Sequence, residues 1–167
     1  MPHGQLVIYD WESNQSRDAW DNWGVSLADG SVGNLLAPPA AKERVSNESR
    51  LERGKRVSTR TPMQYASREV TLEMHLVAPD HETFVTRYRA FFDAITASAE
   101  GIILEYQPYG QTLRFRLQYL SCTQFAAYNG TLAKFAVRFI ERYPTFGIGS
   151  AQTLTINSTN PNEEEND

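Results

Sequence analysis

The sequence predicts a mainly β fold of antiparallel strands with one amphipathic helix laid against them. Three observations predict it. Between Arg68 and Ala78 the apolar residues Val70, Leu72, Met74 and Leu76 alternate with Glu69, Thr71, Glu73 and His75, a period of two that sends one face to a core and the other to water. The same rhythm returns from Leu113 to Tyr119 and from Leu132 to Glu141. A single helical stripe lies between these stretches, formed by Phe84, Val85, Tyr88, Phe91, Phe92 and Ile95, with Arg87, Arg89 and Asp93 on the opposite side.

Each element has its own signal. Asp80 is placed to accept the free amide hydrogens of the helix's first turn. Ile102 to Tyr106 is a short apolar strand, and Gln107-Pro108-Tyr109-Gly110 is a turn signal joining it to the strand from Leu113, so the two form an antiparallel hairpin. Leu6 to Tyr9 reads as an opening strand and Ala151 to Ile156 as a closing, edge-like one. Gly30 to Leu36 reads as a short helical turn ended by Pro38-Pro39. Residues 1–158 are read as one domain, followed by the acidic tail 159–167, which has no aliphatic or aromatic residue.

Composition narrows the function. The 167 residues carry 16 Lys+Arg against 20 Asp+Glu, a formal charge of −4, so the chain lacks the basic balance of a general nucleic-acid binder. No apolar run approaches the ~20 residues of a membrane-spanning helix, and no membrane partner is expected. The opening Met-Pro-His-Gly-Gln has neither a basic region nor an apolar stretch, so no secretory signal is expected, and the single cysteine suits a reducing cytoplasm.

No catalytic or cofactor constellation emerges. His3, His75 and His81 have no metal-ligand spacing, and Cys122 has no base near it in sequence and reads as a small buried hydrophobe. Gly147-Ile148-Gly149 lacks the third glycine of a dinucleotide fingerprint. Glu69 and Glu73 share a strand face about 13 Å apart, too far to act as a carboxylate pair on one bond. The expectation is therefore a non-enzyme without metal or cofactor.

Two features ask for a partner. Residues 42–60 carry seven bases against three acids, whereas residues 1–41 carry five acids against Arg17 alone. The stretch 38–67 has few aliphatic anchors, and it reads as a long hairpin or an extended belt turning at Gly54. Trp11, Trp20 and Trp23 fall within thirteen residues of acidic, polar sequence, a context in which indoles favour interfaces. An acidic surface on one copy meeting a basic arm on the next is a head-to-tail contact, which closes into a ring when the rotation allows. The candidate interface residues are Lys42, Arg44, Arg50, Leu51, Arg53, Lys55, Arg56, Val57 and Arg60 of the arm, with Trp11, Trp20 and Trp23.

The order Gly24-Val25-Ser26-Leu27, Leu35-Leu36-Ala37-Pro38-Pro39, Asn47 to Val57, Arg68-Glu69-Val70-Thr71-Leu72, the helix Phe84 to Ile95, Tyr119 to Phe125 and Ala133 to Phe139 resembles tail proteins encoded by phages and prophages. The resemblance is to the distal tail protein of long-tailed phages, whose N-terminal domain is similar in fold to the tail-tube protein. It implies a β-sandwich or half-barrel with one flanking helix, assembled as a hexameric ring in the virion tail. In such a ring an extended arm, here Lys42 to Arg60, packs on the adjacent copy. The same resemblance implies contacts with neighbouring tube and baseplate hub proteins, and a channel through which DNA passes without specific binding. An acidic lumen would repel phosphates, and Glu69 and Glu73 are the lumen-facing candidates. A tail-tube subunit is the near alternative. From other classes come a nucleic-acid module using Arg44, Arg50, Arg53, Lys55, Arg56 and Arg60, and a carbohydrate-binding sandwich using Trp11, Trp20 or Trp23 as a stacking platform.

Overall fold

Alternating side chains build the sheet. The computed structural model describes residues 5–43, 46–47, 56–57, 65–107 and 112–144. In chain order the elements are β1 (Gln5–Asp10), β2 (Ser16–Asp18), α1 (Ala19–Trp23), β3 (Val25–Leu27), α2 (Asp29–Leu36), β4 (Ser46–Asn47) and β5 (Arg56–Val57). They continue as β6 (Arg68–Val77), α3 (His81–Thr96), β7 (Ile102–Gln107), β8 (Leu113–Tyr128) and β9 (Leu132–Glu141). Seven strands form one antiparallel sheet in the order β2-β1-β7-β8-β9-β6-β3, while β4 and β5 pair only with each other. The fold is mainly β, as expected, and the predicted hairpin of β7 and β8 is present with Ile102 opposite Leu117. The strand expected at Ala151–Ile156, the tail 159–167 and the turn at Gly54 lie outside the described residues.

The period of two holds where it was read. Val70, Leu72, Met74 and Leu76 of β6 are buried and sit opposite Phe139, Val137, Phe135 and Ala133 of β9. Burial of each large apolar side chain contributes about 1.5–3 kcal/mol, so this double row is the main adhesive of the sheet. Leu6, Ile8, Ile102, Leu104, Phe115 and Leu117 extend the same core across β1, β7 and β8.

Strand β8 departs from the alternation. Its first part pairs with β7, and from Gln118 it pairs with β9 instead. In that second part Tyr119, Cys122, Phe125 and Tyr128 oppose Phe139, Val137, Phe135 and Ala133, so three residues of β8 match two of β9. Leu120, Thr123 and Ala126 are the extra residues of three successive bulges. Each bulge adds local twist, so the strand coils as it passes from one partner to the other.

Chain connectivity also curls the sheet. The end strands β2 and β3 are joined through α1, five residues long, followed by Gly24. A flat seven-stranded sheet would hold its ends about 29 Å apart, whereas α1 spans only about 8 Å. Helix α1 packs on β1, β2, β3 and α3, which closes the gap between the sheet's ends.

Helix α3 fills the concave side. Phe84, Phe91 and Ile95 are buried, and Tyr88 and Phe92 meet Phe125 and Tyr119 of β8 at ring-centroid distances of 5.9 Å and 6.4 Å. Arg87 does not stand on a free polar face: its long stem lets Nη1 donate to the Val77 carbonyl at 2.8 Å. Asp80 caps the helix, accepting the Thr83 N–H at 2.7 Å and the Thr83 hydroxyl at 3.0 Å. The Thr83 backbone bond holds the Asp80 carboxyl below its ordinary 3.8. A depressed folded-state pKa means that the stabilisation is complete above the ordinary value and lost as pH falls through the lowered one. Asp80→Ala is therefore expected to lower the melting midpoint at neutral pH, with the difference from the unaltered protein closing in strong acid, as thermal melts across pH will show.

Helix α2 covers the edge that β3 leaves bare on β6. The buried Ser31 hydroxyl accepts the Glu73 N–H at 2.5 Å and donates to the Glu73 carbonyl at 3.2 Å. One turn later the Asn34 amide donates to Thr71 at 3.1 Å. A sheet edge whose donors and acceptors are met by helix side chains cannot recruit a stray strand.

Candidate assembly surfaces

The basic arm leaves the body as a hairpin. Ala41 bridges Tyr65 antiparallel and Ala66 N–H donates to the Ala40 carbonyl at 2.8 Å, so the outgoing and returning chains are pinned side by side. Farther out Ser46 pairs with Val57 and Asn47 with Arg56. Of the predicted arm residues, Lys42 is exposed beside the pinned root, and Arg56 and Val57 lie in β5. Arg44, Arg50, Leu51, Arg53, Lys55 and Arg60 lie outside the described residues.

The three tryptophans part company. Trp23 is only 3% exposed and packs edge-on against Phe91 at 5.7 Å, so it belongs to the core. The Asp18 carboxylate starts α1 by accepting the Trp20 and Asp21 N–H groups at 3.0 Å. That local geometry turns Ala19 and Trp23 inward and leaves Trp20 at the surface, 44% exposed. Trp11 lies beneath the Arg116 guanidinium, 3.9 Å from the ring centroid, and Tyr143 approaches the same guanidinium at 5.6 Å. With one indole buried and another stacked on arginine, no common tryptophan platform for a sugar is formed.

The face bearing Glu69 and Glu73 is balanced, not acidic. Glu73 faces Lys134 at 3.4 Å and Glu69 faces Arg138 at 3.7 Å, each pair crossing from β6 to β9. Two carboxylates and two cations therefore balance on that patch. Exposed pairs of this kind contribute about 0–1 kcal/mol each, so their consequence is electrostatic neutrality more than stability.

The opposite side of β1 and β7 carries a buried polar set. Glu105, 3% exposed, accepts from Arg114 Nε at 2.6 Å and from Gln107 Nε2 at 2.8 Å. Burial, and after it the Glu105 carboxylate, pushes the Tyr9 phenol above its ordinary range. Burial likewise raises the Cys122 thiol, which keeps it protonated and weakly nucleophilic at neutral pH. Among the described residues no three His, Cys, Asp or Glu side chains gather as a metal site.

Two surfaces escaped the sequence reading. Leu120, Phe125 and Tyr128 are exposed along β8, at 39%, 44% and 54%, beyond the point where β7 stops. The bulged repeat guards this edge, because a regular strand cannot pair in register with a backbone that advances in threes. The second surface is a groove of about 330 Å³ between β1, β2 and α3, lined by Ile8, Asp10, Arg17, Trp23, Asp93, the α3 alanines Ala90 and Ala94, and Ala97 at the helix's C-terminal cap. The advance signal is the spacing of those alanines, with Ala94 and Ala97 four and seven residues after Ala90.

No protein-family profile matches the chain, and no curated protein matches it. Among solved structures, a chain of the phage p2 baseplate in its activated conformation with Sr is similar in fold, with a TM-score of 0.56 at 16% identity. The likeness covers 81% of this chain and 43% of that one, so the chain spans less than half the length of the protein it matches. No helix of the described residues is long and apolar enough to cross a membrane.

Proposed function

We propose that this chain is a structural, non-enzymatic subunit of a long-tailed phage tail. In this reading six copies form a ring at the distal end of the tail, joining the tail tube to the baseplate hub around a channel for DNA. The observation that carries it is the fold likeness to a phage p2 baseplate chain over 81% of the sequence. The curled sheet, whose ends meet through α1, suits a half-barrel wall. The arm, pinned at its root and with β4 and β5 forming a two-stranded sheet of their own, suits a belt around the adjacent copy. A lumen lined by paired charges such as Glu69–Arg138 and Glu73–Lys134 would give passing phosphates little net attraction, in place of the repulsion expected from an acidic one.

Light scattering over a range of concentrations tests the assembly. The expected result is a species of six 18.9 kDa copies, alone or once tube or hub protein is added. A strict monomer in all those mixtures would reject the ring. Stacked rings growing into long tubes would assign the tail-tube role instead.

A further inference from the structure

Strand β8 has an edge that no described strand occupies. Strand β7 pairs with it only as far as Leu117, and from Gln118 onward its partner is β9 on the other side. Proteins blunt such edges with charged side chains or with bulges. This edge has bulges and no charges. The stretch 117–133 contains no Asp, Glu, Lys, Arg or His, although 22% of the whole chain is charged. Thr123 to Asn129 are exposed without a break, and Leu120, Phe125, Tyr128 and Leu132 are large apolar side chains that water reaches. Charge depletion with aromatic residues is the composition of an interface core.

The bulges select the partner. Tyr119, Cys122, Phe125 and Tyr128, one residue in every three, oppose the buried row of β9. A regular strand repeats every two residues and falls out of step with this backbone. A second β8 advances by the same three. Run antiparallel about a two-fold axis between Thr123 and Gln124, it sets Tyr119 opposite Tyr128 and Cys122 opposite Phe125 along the whole edge. Such a contact is isologous, so the surface must complement its own copy. An edge without charges meets that condition, because no like charges are brought together.

We propose that the free edge of β8 pairs with the same edge of a second copy across a two-fold axis between Thr123 and Gln124. The contact is separate from the head-to-tail ring and needs no ring to form. It joins two copies, or two rings where rings exist. The four apolar side chains supply roughly 700 Å² over both copies. Stable complexes bury about 1,200–2,000 Å², so this contact is weak and forms at high concentration.

Sedimentation of the full chain up to about millimolar concentration tests it. The mass is expected to double as concentration rises, from single 18.9 kDa copies to pairs or from single rings to paired rings. Gln124 is exposed beside the axis, so Gln124→Lys sets two cations against each other and should abolish the doubling, with the fold verified by circular dichroism. Gln124→Glu should do the same, and mixing the two variants should restore the doubling. That rescue belongs to a two-fold contact, where a side chain meets its own copy. In a Cys122→Ala background, Gln124→Cys should cross-link under mild oxidation, its two Cα atoms lying roughly 5–6 Å apart across the axis. The two Cys122 residues of the unaltered protein, roughly 8 Å apart, should not. An unaltered protein whose mass never doubles overturns the proposal, as do Gln124→Lys and Gln124→Glu each doubling alone. If pairs form but six copies never assemble, the ring reading fails and the two-fold contact stands.

Discussion

Replacing Arg68 by methionine is expected to lower the unfolding free energy by about 3–5 kcal/mol, the cost of taking one partner out of a buried ion pair. Arg68 and Glu141 stand opposite each other at the ends of β6 and β9, and the guanidinium Nε lies 2.5 Å from the carboxylate. The Glu141 side chain is 0% exposed, so water cannot take the place of the guanidinium. The same guanidinium closes the C-terminal end of α2, with Nη2 donating to the Leu35 carbonyl at 2.8 Å and Nη1 to the Ala37 carbonyl. A cation at that position also meets the negative end of the helix dipole. Urea denaturation will read the loss. Arg68→Lys should recover only part of it, because an ammonium cannot serve Glu141 and the α2 carbonyls in the planar geometry of the fork. Joining Arg68→Met to Glu141→Met should recover most of it, since a buried pair replaced by apolar side chains is often neutral. Equal stability of Arg68→Met and the unaltered protein would show that Glu141 is held by other groups.

The elements legible in the sequence are those long enough to show a period. Residues 68–77, 132–141 and the start of β8 alternate over at least five positions, and α3 repeats its stripe through about three turns, from Phe84 to Ile95. The rest was hidden for identifiable reasons. After Tyr119 the residues of β8 that stand opposite the buried row of β9 come every third position, as Cys122, Phe125 and Tyr128. A search for a period of two stops there, while the strand does not. Strands β2 and β3 have three residues each and α1 has five, too few for any rhythm to emerge. Trp23 was misplaced for the same reason: its polar neighbours Asp21 and Asn22 point outward on a helix whose inward face is two residues, Ala19 and Trp23. Charge was legible as a total but not as a pattern. Glu69 and Glu73 read as an acidic face because their cations arrive from β9, more than sixty residues later in the chain.

Gly24→Ala is expected to destabilise the chain by about 3 kcal/mol or more, from a left-handed backbone and a backbone collision acting together. Gly24 ends α1 at φ 63°, and its N–H donates to the Trp20 carbonyl at 2.9 Å to close the helix. A Cβ there would lie 2.2 Å from the Val77 carbonyl oxygen and 2.7 Å from Arg87 Nη1. The arginine can withdraw, but the carbonyl belongs to the ladder of β6 and is held by that same arginine at 2.8 Å. Relief therefore requires α1 to move off β6, and α1 is the link that draws the two end strands of the sheet together. The loss should exceed the cost of αL alanine alone, about 1 kcal/mol where space is free. Gly130→Ala supplies that comparison, since Gly130 also has a positive φ, 96°, while its Cβ would meet only His81 Nδ1 at 3.9 Å. Denaturation of both variants separates the two contributions. A Gly24→Ala loss no greater than that of Gly130→Ala would mean that α1 shifts freely and does not close the sheet.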